Sequence, residues 1–255
     1  MKGKTILITG GTSGMGKAMA TRFCRDGANV VVTGRDPEKL EQTKADLSEY
    51  EGGVLPVQMD VRKPEQVAET VEKAKKAFGE IDALVNNAAG NFVVQAENLS
   101  HNGWNSVIDI VLNGTWYCTQ AVGKEWIQNG KKGSIVNIVA AYAWTGAGGV
   151  VHSASAKAGV LAMSKSLAVE WGSRYGIRVN CIAPGPVENT GGVDKLILNE
   201  EMHKMVLKSV PLRRFGKWEE IAGTAAFLLS PEAEYINGDC ITMDGGQWMN
   251  GMRFL

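Results

Sequence analysis

The stretch Thr5-Ile6-Leu7-Ile8-Thr9-Gly10-Gly11-Thr12-Ser13-Gly14-Met15-Gly16 decides the fold. It runs from a β-branched apolar segment, through a turn of glycines and small hydroxyl residues, into the apolar spacing of a helix over 17–26. Small residues let the backbone pass close to a pyrophosphate, and the helix N-terminus offers free N–H groups and positive potential. A tight strand-to-helix connection would also use glycine. The strand–turn–helix context favours a dinucleotide site made by Gly10, Gly11, Thr12, Ser13, Gly14, Met15 and Gly16.

Outward from this stretch, short β-branched runs alternate with longer helical ones. Strands are expected at 5–9, 29–33, 54–58, 83–86, 134–139, 178–183 and 240–242, and helices at 17–26, 37–50, 64–78, 102–129, 154–175 and 217–229. Apolar strands alternating with amphipathic helices predict one α/β domain over residues 1–255, a doubly wound parallel sheet covered on both faces. No internal repeat, low-complexity tract or Pro-rich linker interrupts it. The segment 187–215, after Pro184-Gly185-Pro186, has no clear period. Ligands in such sheets lie beyond the carboxyl ends of the strands, so this insert is the candidate substrate lid after the sixth strand.

The second strand ends in Thr33-Gly34-Arg35. A carboxylate here would accept from a ribose 2′-hydroxyl and repel a 2′-phosphate, whereas an arginine pairs with the phosphate. Arg35 therefore points to NADPH, with Asp36 next to it tempering the preference. The other reading of Arg35 is a solvated residue ahead of a helix.

Composition narrows the partners. Lys plus Arg and Asp plus Glu number 27 each, so no global field draws the chain to nucleic acid or to an anionic membrane. Cys24, Cys118, Cys181 and Cys240 are far apart in sequence and read as structural thiols in a reducing compartment, and the three histidines have no zinc spacing, so no metal is expected. There is no apolar run of membrane-span length. The chain passes almost directly from Lys2 and Lys4 into its first strand, leaving no room for a signal peptide, and Arg253-Phe254-Leu255 is not a peroxisomal address of the Ser-Lys-Leu type. The expected location is cytoplasmic.

The set Thr9-Gly10-x-x-x-Gly14-x-Gly16, Asp60-Val61, Asn86-Asn87-Ala88-Ala89-Gly90, Lys157 and Pro184-Gly185 closely resembles the short-chain dehydrogenase/reductase family, and the match spans essentially the whole chain. The resemblance implies a Rossmann-like sheet, a nicotinamide cofactor and a homotetramer built on two long helices. It also implies that Asp60 and Val61 sit at the adenine, that Asn87 and Ala88 line the cofactor cleft, that Lys157 bonds the nicotinamide ribose, and that Pro184, Gly185, Pro186 and Val187 border the cofactor. Two departures refine it. Ser153 stands where the family's tyrosine is expected, four residues before Lys157, and Ala140 stands where its serine is expected. With Asn91, Phe92 and Tyr142, this pattern is similar to the 2,4-dienoyl-CoA reductase branch, which takes its tyrosine from just after the fifth strand and pairs it with the asparagine matching Asn91. That resemblance implies Tyr142, Lys157, Asn91 and Ser153 as the catalytic set, an acyl-CoA substrate, and Phe92, Ser100 and Lys195 as substrate contacts.

Moving the tyrosine suits the chemistry. In a ketoreductase, hydride and proton add to adjacent atoms, so the tyrosine lies beside the nicotinamide. In a 2,4-dienoyl thioester, hydride adds at carbon 5 and charge appears on the thioester oxygen, at the far end of the conjugated system. Tyr142 and Asn91 would donate to that oxygen, and protonation at carbon 2 would give the 3-enoyl thioester, a step of unsaturated fatty-acid β-oxidation. Ser153 has three possible partners: Lys157, the tyrosine or the thioester. Arg213 and Arg214 are further candidates for the CoA phosphates, and Leu196, Ile197 and Met205 for an acyl chain; solvated charge and core packing are their plain alternatives. His152 reads as a cleft-wall residue, Tyr142 alone as packing at a strand end, and Asn91 alone as a turn residue. Two other functions stay open, a carbonyl or enoyl reductase on another substrate and a silent NADPH-binding subunit.

Overall fold

The β1 segment shows how the sheet buries both its faces. The computed structural model describes residues 1–188 and 199–250. Among these, β1 (Thr5–Ile8) points Ile6 and Ile8 to one side and Leu7 to the other, as the two-residue pleat requires. The parallel neighbour β2 (Asn29–Gly34) pairs Ile6 with Val30 and Leu7 with Val31, so its side chains fall into the same two layers. Seven parallel strands result, with β3 (Val54–Gln58), β4 (Ala83–Asn86), β5 (Ser134–Ile138), β6 (Arg178–Pro184) and β7 (Cys240–Met243) completing the order β3-β2-β1-β4-β5-β6-β7. Every residue of β1, β4 and β5 is buried. A fully buried aliphatic side chain contributes about 1.5–3 kcal/mol, so these central strands tolerate no polar register slip.

Helices cover both faces. The Ile6–Ile8 side packs on α1 (Gly14–Arg25), through Met19 and Phe23, and on α9 (Trp218–Leu229), through Ile221 and Ala225. The Leu7 side packs on α3 (Pro64–Phe78), α5 (Gly114–Gln128) and α7 (Val151–Tyr175), through Val67, Val122 and Leu167. α2 (Pro37–Leu47), α4 (His101–Ile108), the short α6 (Tyr142–Thr145) and α8 (Glu200–Ser209) complete the set among the described residues. The chain moves outward from β1 to β3, then returns to lay β4 on the other side of β1. That reversal opens a crevice beyond the carboxyl ends of the strands, where the sequence-selected residues fall.

One expectation is corrected. The helix expected over 102–129 is α4 and α5 joined by a π-helical turn, Asp109–Asn113. The apolar period runs through this turn, which is why sequence spacing does not reveal it. Gly114 follows because a Cβ there would lie 2.6 Å from Val61. The 187–215 segment, left undecided by sequence, contains α8, whose N-cap Asn199 accepts from Met202 N at 2.8 Å, and a parallel bridge joins Val187 to Gly216. Ends also shift, α1 starting at Gly14 and α7 at Val151, because the flanking turns wind into the helices. Among the described residues no helix is long and apolar enough to cross a membrane, and no group of side chains is arranged to hold a metal ion.

Candidate active site

The glycine-rich turn leaves β1 with Gly10 and Gly14 at positive φ, 64° and 50°, where a Cβ would be strained. Gly16 is constrained by contact: a Cβ there would sit 2.2 Å from the Gly10 carbonyl oxygen and 2.5 Å from Asn87 Nδ2. Asn87 fastens the turn from β4, its Nδ2 donating to the carbonyls of Thr9 (3.1 Å) and Gly10 (2.9 Å). Thr9 Oγ1 accepts from the backbone N–H groups of Asn87 and Ala88, both at 3.0 Å. Asn87 thus borders the cleft while spending its side chain on the turn. Ser13, the N-cap of α1, makes no side-chain capping bond, so the first-turn N–H groups are left for an anion. Bare backbone, an uncapped helix end and glycines that exclude side chains fit a pyrophosphate.

At the end of β2, Arg35 is exposed, and the carboxylate of Asp36 is engaged as the N-cap of α2, accepting from Glu38 N at 3.0 Å and Lys39 N at 3.3 Å. Asp36 is therefore engaged through Oδ1 by the helix that follows it. Asp60, after β3, is gripped by Arg62, whose Nε donates to both carboxylate oxygens at 2.9 and 3.0 Å. The Arg62 contact holds the Asp60 carboxyl below the usual range, and Arg35 adds to the effect. Asp60, Arg35 and Arg62 thus share one corner. Arg62 was not singled out from sequence; its proximity to Asp60, two residues away, is the only signal.

The residues expected to be catalytic converge on β5 and α7. Tyr142 opens α6 just beyond β5, and its hydroxyl lies 3.1 Å from Ser153 Oγ in the first turn of α7. Of the protein partners open to Ser153, the tyrosine is the one it meets. Burial pushes the Tyr142 phenol up, opposed by the Ser153 hydrogen bond, so the phenol is a proton-bearing donor across the neutral range. Lys157, one helical turn on, is 7% exposed and donates from Nζ to the Ile138 carbonyl at 2.5 Å. Its burial lowers the ammonium pKa to about 8, and the neighbouring Cys181 opposes that shift. Asn91 Oδ1 accepts from Phe92 N at 2.9 Å, which leaves the amide NH₂ as its donor.

Phe92 meets His152 edge to face, with ring centroids 4.4 Å apart. His152 is fully buried, neither ring nitrogen has an aligned hydrogen bond, and burial lowers its pKa against the nearby Val150 carbonyl. It is a buried ring packed on Phe92. Beneath the cleft, Asn86 Nδ2 donates to Thr119 Oγ1 (2.9 Å) and Asn137 Oδ1 (2.8 Å), and Asn137 donates to Ser164 (2.8 Å). This ladder ties β4, β5, α5 and α7 together under the site. The π turn packs against α7, the helix of Lys157, and its Asn113 donates to Asp109 Oδ1 at 2.8 Å.

On the substrate side the residues are less concentrated. Ser100 is the exposed N-cap of α4, its Oγ accepting from Gly103 N at 3.0 Å, so only its hydroxyl hydrogen is left to donate. Arg214 forms a two-point ion pair with Glu220, at 2.8 and 2.6 Å, and Arg213 donates to the Lys208 carbonyl at 2.6 Å. Met205 is exposed on α8. Lys195, Leu196 and Ile197 lie outside the described residues. Gly185 N donates to the Met243 carbonyl at 3.0 Å, and Gly216 N to the Pro186 carbonyl at 2.9 Å, which fixes the segment from Pro184 to Val187 beside the crevice.

Known proteins give the geometry its family. The family model described as enoyl-(acyl carrier protein) reductase matches residues 10–247. A Bacillus subtilis protein named probable 2,4-dienoyl-CoA reductase, (2E)-enoyl-CoA-producing, is 57% identical over 254 residues, covering 100% of both chains. A zebrafish (Danio rerio) peroxisomal 2,4-dienoyl-CoA reductase, (3E)-enoyl-CoA-producing, is 39% identical, covering 96% of this chain and 82% of its own. The crystal structure of a short chain dehydrogenase from Bacillus anthracis superposes with a TM-score of 0.92 at 58% identity, covering 99% of this chain and 98% of that one. The chain belongs to the short-chain dehydrogenase/reductase family of oxidoreductases, in the branch whose relatives are named 2,4-dienoyl-CoA reductases.

Proposed function

We propose that this protein is an NADPH-dependent 2,4-dienoyl-CoA reductase serving the β-oxidation of unsaturated acyl chains. The observation that carries the reading is the Tyr142–Ser153 contact at 3.1 Å, which puts the only tyrosine of the cluster one step away from the position beside Lys157. The bound nicotinamide would supply hydride to carbon 5 of the substrate. Tyr142 and Asn91 would hold the thioester oxygen as charge develops there, and preorganised donors of this kind stabilise the transition state without reorganising. Ser153 would orient the phenol, and Lys157 would hold the cofactor ribose and bias the local potential toward the anion. Arg35, with Asp36 engaged elsewhere, supports a 2′-phosphate. Protonation of the dienolate at carbon 2 gives the 3-enoyl thioester. A second product, the 2-enoyl thioester from protonation at carbon 4, is favoured by the name of the Bacillus subtilis relative.

The remaining assignments complete the proposal. Residues 1–255 act as one reductase domain, with 187–215 as the lid, and Phe92, Ser100 and Lys195 contact the acyl-CoA. The chain works in the cytoplasm as a homotetramer; the exposed Val169 and Tyr175 on α7 support burial of that long helix against a copy. The test is NADPH oxidation followed spectrophotometrically with a 2,4-dienoyl-CoA beside a 3-ketoacyl-CoA, with the product double bond located by NMR. Turnover of the ketoacyl substrate alone, or cofactor binding without any turnover, would overturn the reading.

A further inference from the structure

Cys181 and Cys240 are far apart in the chain, yet the parallel pairing of β6 with β7 sets them directly opposite one another. Paired residues on neighbouring strands share a face, and Cys240 packs against the buried cluster that holds Cys181. The neighbouring Cys240 holds the Cys181 thiol below its ordinary range while its own is pushed up, and Lys157 and Lys165 place positive charge near Cys181. Cys181 is 1% exposed, whereas Cys240 is partly exposed on the outermost strand of the sheet. Cys24 and Cys118 differ, being buried with thiols pushed up to about 12 by desolvation. A thiolate is the reacting form, so the four cysteines are not equivalent.

We propose that Cys181 and Cys240 form an oxidisable dithiol, a modification site that a hydroperoxide converts into a cross-strand disulfide and that alters cofactor binding. In the first step the sulfur of one of the two thiols attacks the peroxide, an S–O bond forms, the O–O bond breaks, and the alcohol leaves with that thiol's proton. In the second, the other sulfur displaces the hydroxyl of the sulfenic acid, forming S–S and releasing water that carries away the second thiol's proton. Two thiols are oxidised and one hydroperoxide is reduced to alcohol and water.

The strand pair sets the consequence. Adjacent strands lie about 4.7–4.9 Å apart, inside the roughly 4.4–6.8 Å Cα window of a disulfide. A disulfide holds its Cβ atoms at about 3.5–4.5 Å, closer than the roughly 4.7–4.9 Å spacing of the strands, so the bond draws β7 toward β6. There is no slack to absorb this farther along. Pro184 pairs with Met243, Gly185 N bonds the Met243 carbonyl, and a Cβ on Gly185 would lie 2.6 Å from that of Asp244. The pinch therefore reaches the Pro184–Val187 segment that borders the cofactor.

The experiment titrates the full chain with tert-butyl hydroperoxide, blocks remaining thiols, maps peptides by mass spectrometry and measures NADPH affinity by fluorescence. The expected result is a Cys181–Cys240 linked peptide, lighter by two hydrogens and reversed by dithiothreitol, with affinity reduced roughly fivefold or more in the oxidised form. Cys240→Ser should bind NADPH as the reduced wild type does, before and after peroxide. Reversal on the wild-type chain keeps the test valid should that variant not fold, and the linked peptide does not depend on which substrate is reduced. Oxidation of Cys24 or Cys118 first, unlinked sulfinic acids at Cys181 and Cys240, or a linked peptide with unchanged affinity would each overturn the proposal.

Discussion

At the nucleotide end of the cleft, the turn from Thr9 to Gly16 is shaped by positive φ angles and by contacts of 2.2–2.5 Å that no Cβ can enter, and Asn87 only braces it. At the proposed catalytic end the groups are side chains on three separate segments: Asn91 after β4, Tyr142 on α6, and Ser153 and Lys157 on α7. Substitution at the first end fails through steric clash. At the second, the frame stays and function changes by single hydrogen bonds, so a catalytic group can move while the cofactor stays in place. The missing family tyrosine at Ser153 and the tyrosine at 142 are the outcome of that freedom.

Tyr142→Phe tests this contrast most severely. Dienoyl-CoA kcat should fall by about 10²–10³ with NADPH affinity unchanged. Asn91→Ala should act in the same direction, and the double variant should lose less than the product of the two if both donate to one oxygen. A phenylalanine enzyme that keeps its rate would remove the displaced-tyrosine mechanism.

Lys157→Met probes the cost of placing a charge in the catalytic frame. Burial moves the folded-state pKa from 10.5 to about 8. Below pH 8 the protonated lysine is favoured more in the unfolded chain than in the folded one, so it destabilises the fold by as much as ~3 kcal/mol. The penalty shrinks as pH rises through 8 and is gone above 10.5. The methionine variant should therefore lose turnover yet resist urea better than wild type at pH 7, with the gain fading by pH 10. A destabilised variant at pH 7 would mean that the bond to the Ile138 carbonyl outweighs the desolvation.

The nucleotide end answers with a smaller and different effect. Gly16→Ala forces a Cβ toward the Gly10 carbonyl and should cost about 1–3 kcal/mol of stability, with NADPH affinity lost alongside. Unchanged thermal unfolding and cofactor affinity would show that the turn has room to yield. Asp36→Ala should have the least effect. It removes the cap of α2 for about 1 kcal/mol and leaves the ratio of NADPH to NADH affinity untouched, whereas Arg35→Ala should reduce that ratio. A shift in the ratio on Asp36→Ala would show the carboxylate is read by the cofactor after all.

Much of this was legible in the chain because it is local. The pleat of β1, the glycine turn and the helix that follows are set by neighbours within a few residues, and Thr9–Gly16 carries both the turn that opens the fold and the bare backbone that fits a pyrophosphate. The spacing of Asn91, Tyr142, Ser153 and Lys157 was also readable, although only through its likeness to a family. The π turn at Asp109–Asn113 was hidden, since the apolar period continues through it, and α8 was hidden because its amphipathic stretch lies in a segment rich in polar residues.

Sequence by itself therefore determined the parallel sheet, the glycine turn and which residues to propose as catalytic, the first two because periodicity and glycine stereochemistry act over short range and the last through family likeness. Only the tertiary structure decided the partners. It gave Ser153 to Tyr142, Lys157 to the Ile138 carbonyl and Cys181 to Cys240. The Tyr142, Lys157 and Cys181 pairings depend on how α6 and α7 pack against the sheet and which strand lies beside which, and no local rule encodes that.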